Sequence, residues 1–140
     1  MDHGPVIAQE KYAISPHARR PDLERELTLI GFEMFKHHVI PSVVEESHPQ
    51  NHDLATFTKL LKKDDGFIPL EDVRSAIDVD GNGVYNKFRG FYPWPGIWTK
   101  VGEKRMKITD CSLIESKLVI KKVQFEGKNE IPFDPSIINV

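Results

Sequence analysis

Apolar positions along this chain fall in blocks separated by polar, proline-bearing stretches. From Gly4 to Ile14 a short apolar run passes into loose alternation through Ala8, Lys11, Tyr12 and Ile14, which predicts a strand. SPHARRPD follows as a loop with two prolines. DLERELTLIGFEMFKHHVIP then has helical spacing. Leu23, Leu27, Ile30 and Met34 form one stripe, and Leu29, Phe32, Phe35 and Val39 broaden it, so this helix has an apolar surface wide enough to need cover on two sides. Asp22 is the expected N-cap or first-turn acid, and Pro41 the stop.

EESHPQNHD has no periodicity and suits a linker. Beyond it, Asp65-Gly66 is a turn signal between two apolar patches, Phe57 to Leu61 and Phe67 to Leu70. Val84, Phe88 and Phe91 recur at helical spacing, with Asn82 placed to cap a short helix. That helix must end at Tyr92, because a residue before proline is pushed out of the helical region. FRGFYPWPGIWTK, residues 88–100, gathers five aromatic rings, two prolines and two glycines. It reads as a corner in which Trp94 is fixed between Pro93 and Pro95, Gly96 turns the chain, and a tryptophan plugs the join. IWTKVGEKRMKI then predicts a β-hairpin with Gly102 in its turn, and SKLVIKKVQFEG one further strand or two.

Composition changes this picture little. With 140 residues, 39% hydrophobic and 29% charged, the chain is globular rather than disordered. The net charge of -2 does not advertise nucleic-acid binding, but its distribution is uneven. Residues 1–60 carry six Lys and Arg against nine Asp and Glu, and residues 96–140 carry eight against six. The basic tilt points weakly to a phosphate-bearing partner. One cysteine, Cys111, excludes an internal disulfide and favours a reducing compartment. No leader pattern or membrane-length apolar run is visible, so a cytoplasmic protein with no membrane partner is expected.

Few motifs carry chemistry. DVDGNGVYNKFR places Asp78, Asp80 and Asn82 at the first, third and fifth positions of a calcium loop, but the twelfth is Arg89, where the ion's bidentate Glu belongs. His48 and His52 are four apart with Pro49 between them, which suits a solvated linker better than zinc. No metal site is expected. There is no phosphate-binding Gly-rich loop and no serine-nucleophile pattern. In MDHGPVIAQ, Asp2 stands ahead of a turn and a strand, which by itself reads as a turn-forming acid.

FRGFYPWPGIWT resembles the helix-to-barrel corner of the methionyl-tRNA formyltransferases through Arg89, Phe91, Pro93, Trp94, Pro95, Gly96, Trp98 and Thr99. ATFTKLLKKDDGFI resembles the strand-turn-strand that opens the same C-terminal domain, and KRMKI with VIKKVQFEGKNEIPF its later barrel strands. MDHGPVIAQEKYAI and the helix to Pro41 resemble the end of the family's catalytic domain. The resemblance implies an α+β chain. Residues 1–44 would be a strand-helix remnant of an α/β formyltransferase domain, 45–54 a linker, and 55–140 a small OB-like β-barrel. The strand pair usual between the equivalents of Ile114 and Leu118 is missing, which leaves barrel closure open.

For function, the resemblance implies formyl transfer from 10-formyltetrahydrofolate to the amino group of initiator methionyl-tRNA. Asp2 would match the catalytic aspartate, and Asp2 with Gly4 would lie at the folate co-substrate. The family's Asn-x-His motif and folate loop have no counterpart here, so the chain alone is expected to be inactive, with a catalytic N-terminal half or a second copy as its missing partner. Lys100, Lys104, Arg105, Lys107, Lys117, Lys121, Lys122 and Lys128 are the candidate tRNA-phosphate contacts. An amino-sugar nucleotide formyltransferase and a non-catalytic RNA-binding module are the alternatives.

Overall fold

The computed structural model describes residues 5–38 and 49–139. The chain divides into two compact units, Met1–Leu60 and Leu61–Val140. Asp2, Gly4 and Pro41 lie outside the described residues.

In the first unit, helix α1 spans Arg20–His38. Asp22 works differently from an N-cap. It lies in the first turn and its carboxylate accepts from the Arg19 backbone N–H at 3.0 Å, reaching backward as the acidic partner of a capping box does. Arg20–Glu24 at 3.2 Å and Lys36–Glu33 at 3.0 Å flank the two ends on the solvent side. None of the residues of α1 is buried, and Leu27, Leu29, Phe32 and Phe35 are exposed. Among the described residues the strand expected from Gly4 to Ile14 is reduced to a single bridge position, Val6, and residues 7–15 carry no regular secondary structure. A strand holds only when a neighbour takes its backbone hydrogen bonds, and alternation alone supplies none.

The stretch of chain leading from the first unit into the second brings a correction. The strand-turn-strand expected over residues 55–68 is absent on both sides of its turn. Residues 55–62 are irregular, Lys63–Gly66 is one 3-10 turn, and only Phe67 makes a bridge, parallel, to Trp98. The turn itself forms at Asp65-Gly66, where the Asp65 carboxylate accepts from the Lys62 N–H at 2.7 Å. Pro69 then leads into helix α2, Leu70–Asp78. Val73 and Ala76 face inward and are buried, while Glu71 and Asp72 sit at the positive end of the helix dipole. Helix α3 spans Asn82–Phe91 and buries Tyr85 and Phe88. Asn82 is not its cap. Asp80 accepts from the Asn82 N–H at 3.0 Å, and this bond, ahead of the one from the Asn82 side chain, holds the Asp80 carboxyl below the usual carboxylate range. Asp80, the third-position acid of the calcium-like loop, is therefore engaged in joining two helices.

Four strands follow as an antiparallel meander in chain order: β1 Ile97–Val101, β2 Lys104–Ile114, β3 Lys117–Phe125 and β4 Glu130–Pro132. Alternation puts Ile97, Met106, Ile108, Leu118, Ile120 and Val123 on one face, where they pack with Val73, Ala76 and Phe88. Burying each of these side chains other than that of Ala76 contributes about 1.5–3 kcal/mol. The phase of β3 breaks between Ile120 and Val123 because Thr109 and Lys121 are extra residues in successive irregularities of the β2–β3 ladder. Hence the sequence alternates imperfectly there. The sheet is open, with β1 and β4 at its two edges, so the α+β class holds and the strands do not close on one another.

The missing strand pair leaves a two-residue turn. Glu115 and Ser116 join β2 to β3 with φ of 48° and 64°. Such paired left-handed residues define the turn that matches strand twist, and they favour Asn-Gly. The Ser116 carbonyl accepts from the Gly81 N–H at 2.7 Å, so the tip is fastened to the α2–α3 junction. Replacing Glu115 and Ser116 by Asn and Gly is expected to stabilise the unit by about 1–2 kcal/mol. Chemical denaturation with an unchanged m-value checks it; no gain in midpoint would mean that the turn is not strained as described.

Candidate functional site

The corner after α3 is built by the prolines. Tyr92, held extended at ψ 137° ahead of Pro93, ends the helix. Gly96, at φ 73°, returns the chain so that its N–H bonds the Phe91 carbonyl at 2.9 Å. The peptide bonds Tyr92-Pro93 and Trp94-Pro95 are cis. Five rings meet here but divide unequally. Phe88 is buried in the core, Phe91 and Tyr92 pack against it, and Trp98 is 9% exposed, whereas Trp94 is 48% exposed.

Trp98, rather than Trp94, is therefore the plug expected at the join. Its indole N–H donates to the Lys63 carbonyl at 2.9 Å, and its ring lies 4.8 Å from that of Phe67. The Arg105 guanidinium stacks over it at 4.1 Å. The Trp98 carbonyl accepts from the Ile68 N–H at 2.8 Å. One tryptophan thus fixes the Lys63 turn, the start of the segment leading to α2, and a cation of β2.

On the sheet face opposite the core, these contacts shape a cleft of about 310 Å³. Lys63, Trp94, Arg105, Lys107, Gln124 and Glu126 line it. Across the strands, Lys107 lies opposite both Trp98 and Gln124, and Lys100 opposite Arg105. The Lys107 ammonium reaches the Pro93 carbonyl at 3.5 Å. Gln124 donates from Nε2 to the Lys128 carbonyl at 2.9 Å, which leaves its side-chain oxygen as an acceptor. Three cations against one carboxylate make the cleft positive.

The eight basic candidates do not share one stripe. Arg105 and Lys107 meet in the cleft, with Lys100 across from Arg105. Lys104 closes the β1–β2 hairpin opposite Val101, and Lys117 lies at the other end of the sheet opposite Ile114. Lys121 occupies the β3 irregularity. Lys122 is paired with Glu130 at 3.1 Å, and Glu130 is held below the usual carboxylate range by the Thr109 hydroxyl first and Lys122 second. Lys128 lies in the turn between β3 and β4. Lys63 joins the cleft without any signal in the sequence, since only the fold brings its turn beside β2. The catalytic and folate-site candidates, Asp2 and Gly4, fall outside the described residues. Among the described residues no group of His, Cys, Asp and Glu forms a metal-ligand cluster, and no helix is long and apolar enough to cross a membrane.

Comparison with known proteins agrees with the resemblance drawn from the corner. Residues 61–118 match the family described as formyl transferase, C-terminal domain. The methionyl-tRNA formyltransferases of Staphylococcus aureus strains Newman, JH1 and N315 are each 29% identical over 122 residues, covering 85% of this chain and 37% of theirs. The chain thus spans little more than a third of the length of these curated relatives.

Proposed function

We propose that the Leu61–Val140 unit is the RNA-holding module of a methionyl-tRNA formyltransferase, whose complete form moves a formyl group from 10-formyltetrahydrofolate to the amino group of initiator methionyl-tRNA. The observation that carries this reading is the cleft in which Lys63, Arg105 and Lys107 meet, on a unit that resembles the formyl transferase C-terminal domain. Phosphate contacts of this kind position a nucleic acid without reading its sequence. The unit would hold the tRNA body. The reacting groups, including the folate-site and catalytic roles assigned to Gly4 and Asp2, would belong to the catalytic part. The methionyl-tRNA relatives favour tRNA over a sugar nucleotide as the substrate.

The test is the salt dependence of initiator-tRNA binding by the full chain, followed by anisotropy. Each phosphate neutralised contributes about 0.9 to the slope of log K against log salt on a duplex, and about 0.7 on a single strand. K63Q/K107Q is expected to weaken binding and to flatten the slope by roughly 1.4–1.8. Binding that ignores salt, or a slope unchanged in the double variant, would remove the cleft from RNA binding.

A further inference from the structure

The cleft contains a feature that phosphate binding does not use. Of the five rings in the corner, Trp94 alone keeps about half of its surface in solvent, at 48% exposed. A single exposed aromatic is ordinary; this one lines a cavity together with three cations. The backbone on both sides of it is restricted by proline, so little conformational freedom is lost on binding. Arg105 is already ordered by its stacking on Trp98 at 4.1 Å. The volume, about 310 Å³, lies at the lower end for ligand pockets and suits one small planar group. Gln124 and Glu126 supply acceptors beside it.

We propose that this cleft takes one unpaired nucleobase of the bound RNA, stacked on the Trp94 indole, with the adjoining phosphate held by Lys63, Arg105 and Lys107. This rests on the reading of the unit as an RNA-holding module and assigns its contact. Stacking on an aromatic platform is tolerant of sequence, because every base has a π-face, and it is independent of counterion release. The pairing of a flat ring with cations that grip the backbone is what single-stranded nucleic acid requires. A duplex would keep its bases inside and leave Trp94 without a role.

The experiment uses the full chain and a labelled uridine octamer, with initiator tRNA alongside. Wild-type binding is expected to quench tryptophan emission, since Trp94 is the exposed indole. W94A should bind the octamer about ten- to a hundredfold more weakly with its salt slope unchanged. W94F should keep most of the affinity and lose most of the quench. K107Q should do the reverse, flattening the slope and keeping the quench at saturation. W94A binding within twofold of wild type, or octamer binding without quenching, overturns the proposal even if W94A folds poorly, because the quench is read on wild type. If tRNA still binds in that case, the phosphate reading survives alone. If wild type binds neither RNA, both readings fall. Uridine monophosphate is the control: equal quenching by it at equal concentration would assign the cleft to a free nucleotide and overturn the RNA assignment.

Discussion

Gly66→Ala is expected to cost the Leu61–Val140 unit a large part of its stability. A Cβ at this position would fall on the Gly96 carbonyl oxygen, closer than real Cβ atoms approach, and near the Trp98 ring at 3.3 Å. Neither neighbour can yield easily. The Gly96 carbonyl is backbone in a corner already set by two prolines, and Trp98 is held on three sides. Overpacking of a tight site costs about 1–3 kcal/mol when side chains can shift, and more when backbone must. A domain of this size has roughly 4–12 kcal/mol in total. A loss above about 3 kcal/mol would lower the melting midpoint by more than about 12 °C. Gly90→Ala is the contrast. Gly90 lies inside α3, and a methyl added there would meet nothing within 4 Å, so alanine should stabilise by up to about 1 kcal/mol. Equal and small effects at both positions would mean that the turn and the corner are not in contact.

Trp98→Ala is the second large effect. Truncating a buried tryptophan costs about 3–5 kcal/mol, and here the loss is also architectural. The Phe67 ring loses its partner, the Lys63 carbonyl its donor, and Arg105 the surface that orders it. Stability and the proposed RNA binding should therefore fall together. Trp98→Phe keeps a ring for Arg105 and Phe67 but not the N–H, so it should cost only about 1–2 kcal/mol. Thermal melts and octamer affinity measured on the same samples would check this. An alanine variant that melts normally would deny Trp98 its place as the keystone of the cleft.

Local signals make much of this fold legible. The helix around Leu23 to Met34, the helix ending at Tyr92, and the hairpin at Gly102 each follow from periodicity or from one proline or glycine. Helix α2 is hidden in the sequence although Leu70, Val73, Ala76 and Ile77 lie at helical spacing, because the Asp65-Gly66 turn draws the preceding and following patches toward a hairpin. The strand expected near the N-terminus is the opposite case: its alternation is legible, but residues 7–15 stay without regular structure and largely exposed. At the cleft, Arg105 and Lys107 are legible as cations in a strand. Lys63 is not, since its place depends on where the turn docks. Nor does sequence tell Trp94 from Trp98. Trp98 points away from the core, yet Phe67, Arg105 and the Lys63 turn bury it; that cover exists only in three dimensions.

The open sheet carries one further consequence, for self-association. An unpaired strand edge is a template on which another chain can add, and open sheets risk aggregating through it. Here both edges are blunted. The outer side of β1 is met by the Phe67–Ile68 segment, which takes the Trp98 carbonyl. At the far side, β4 is only three residues long, ends in Pro132, which has no N–H to offer, and holds Glu130 in an ion pair with Lys122. The sheet thus stays open without presenting a long, flat border for an intruding strand to extend.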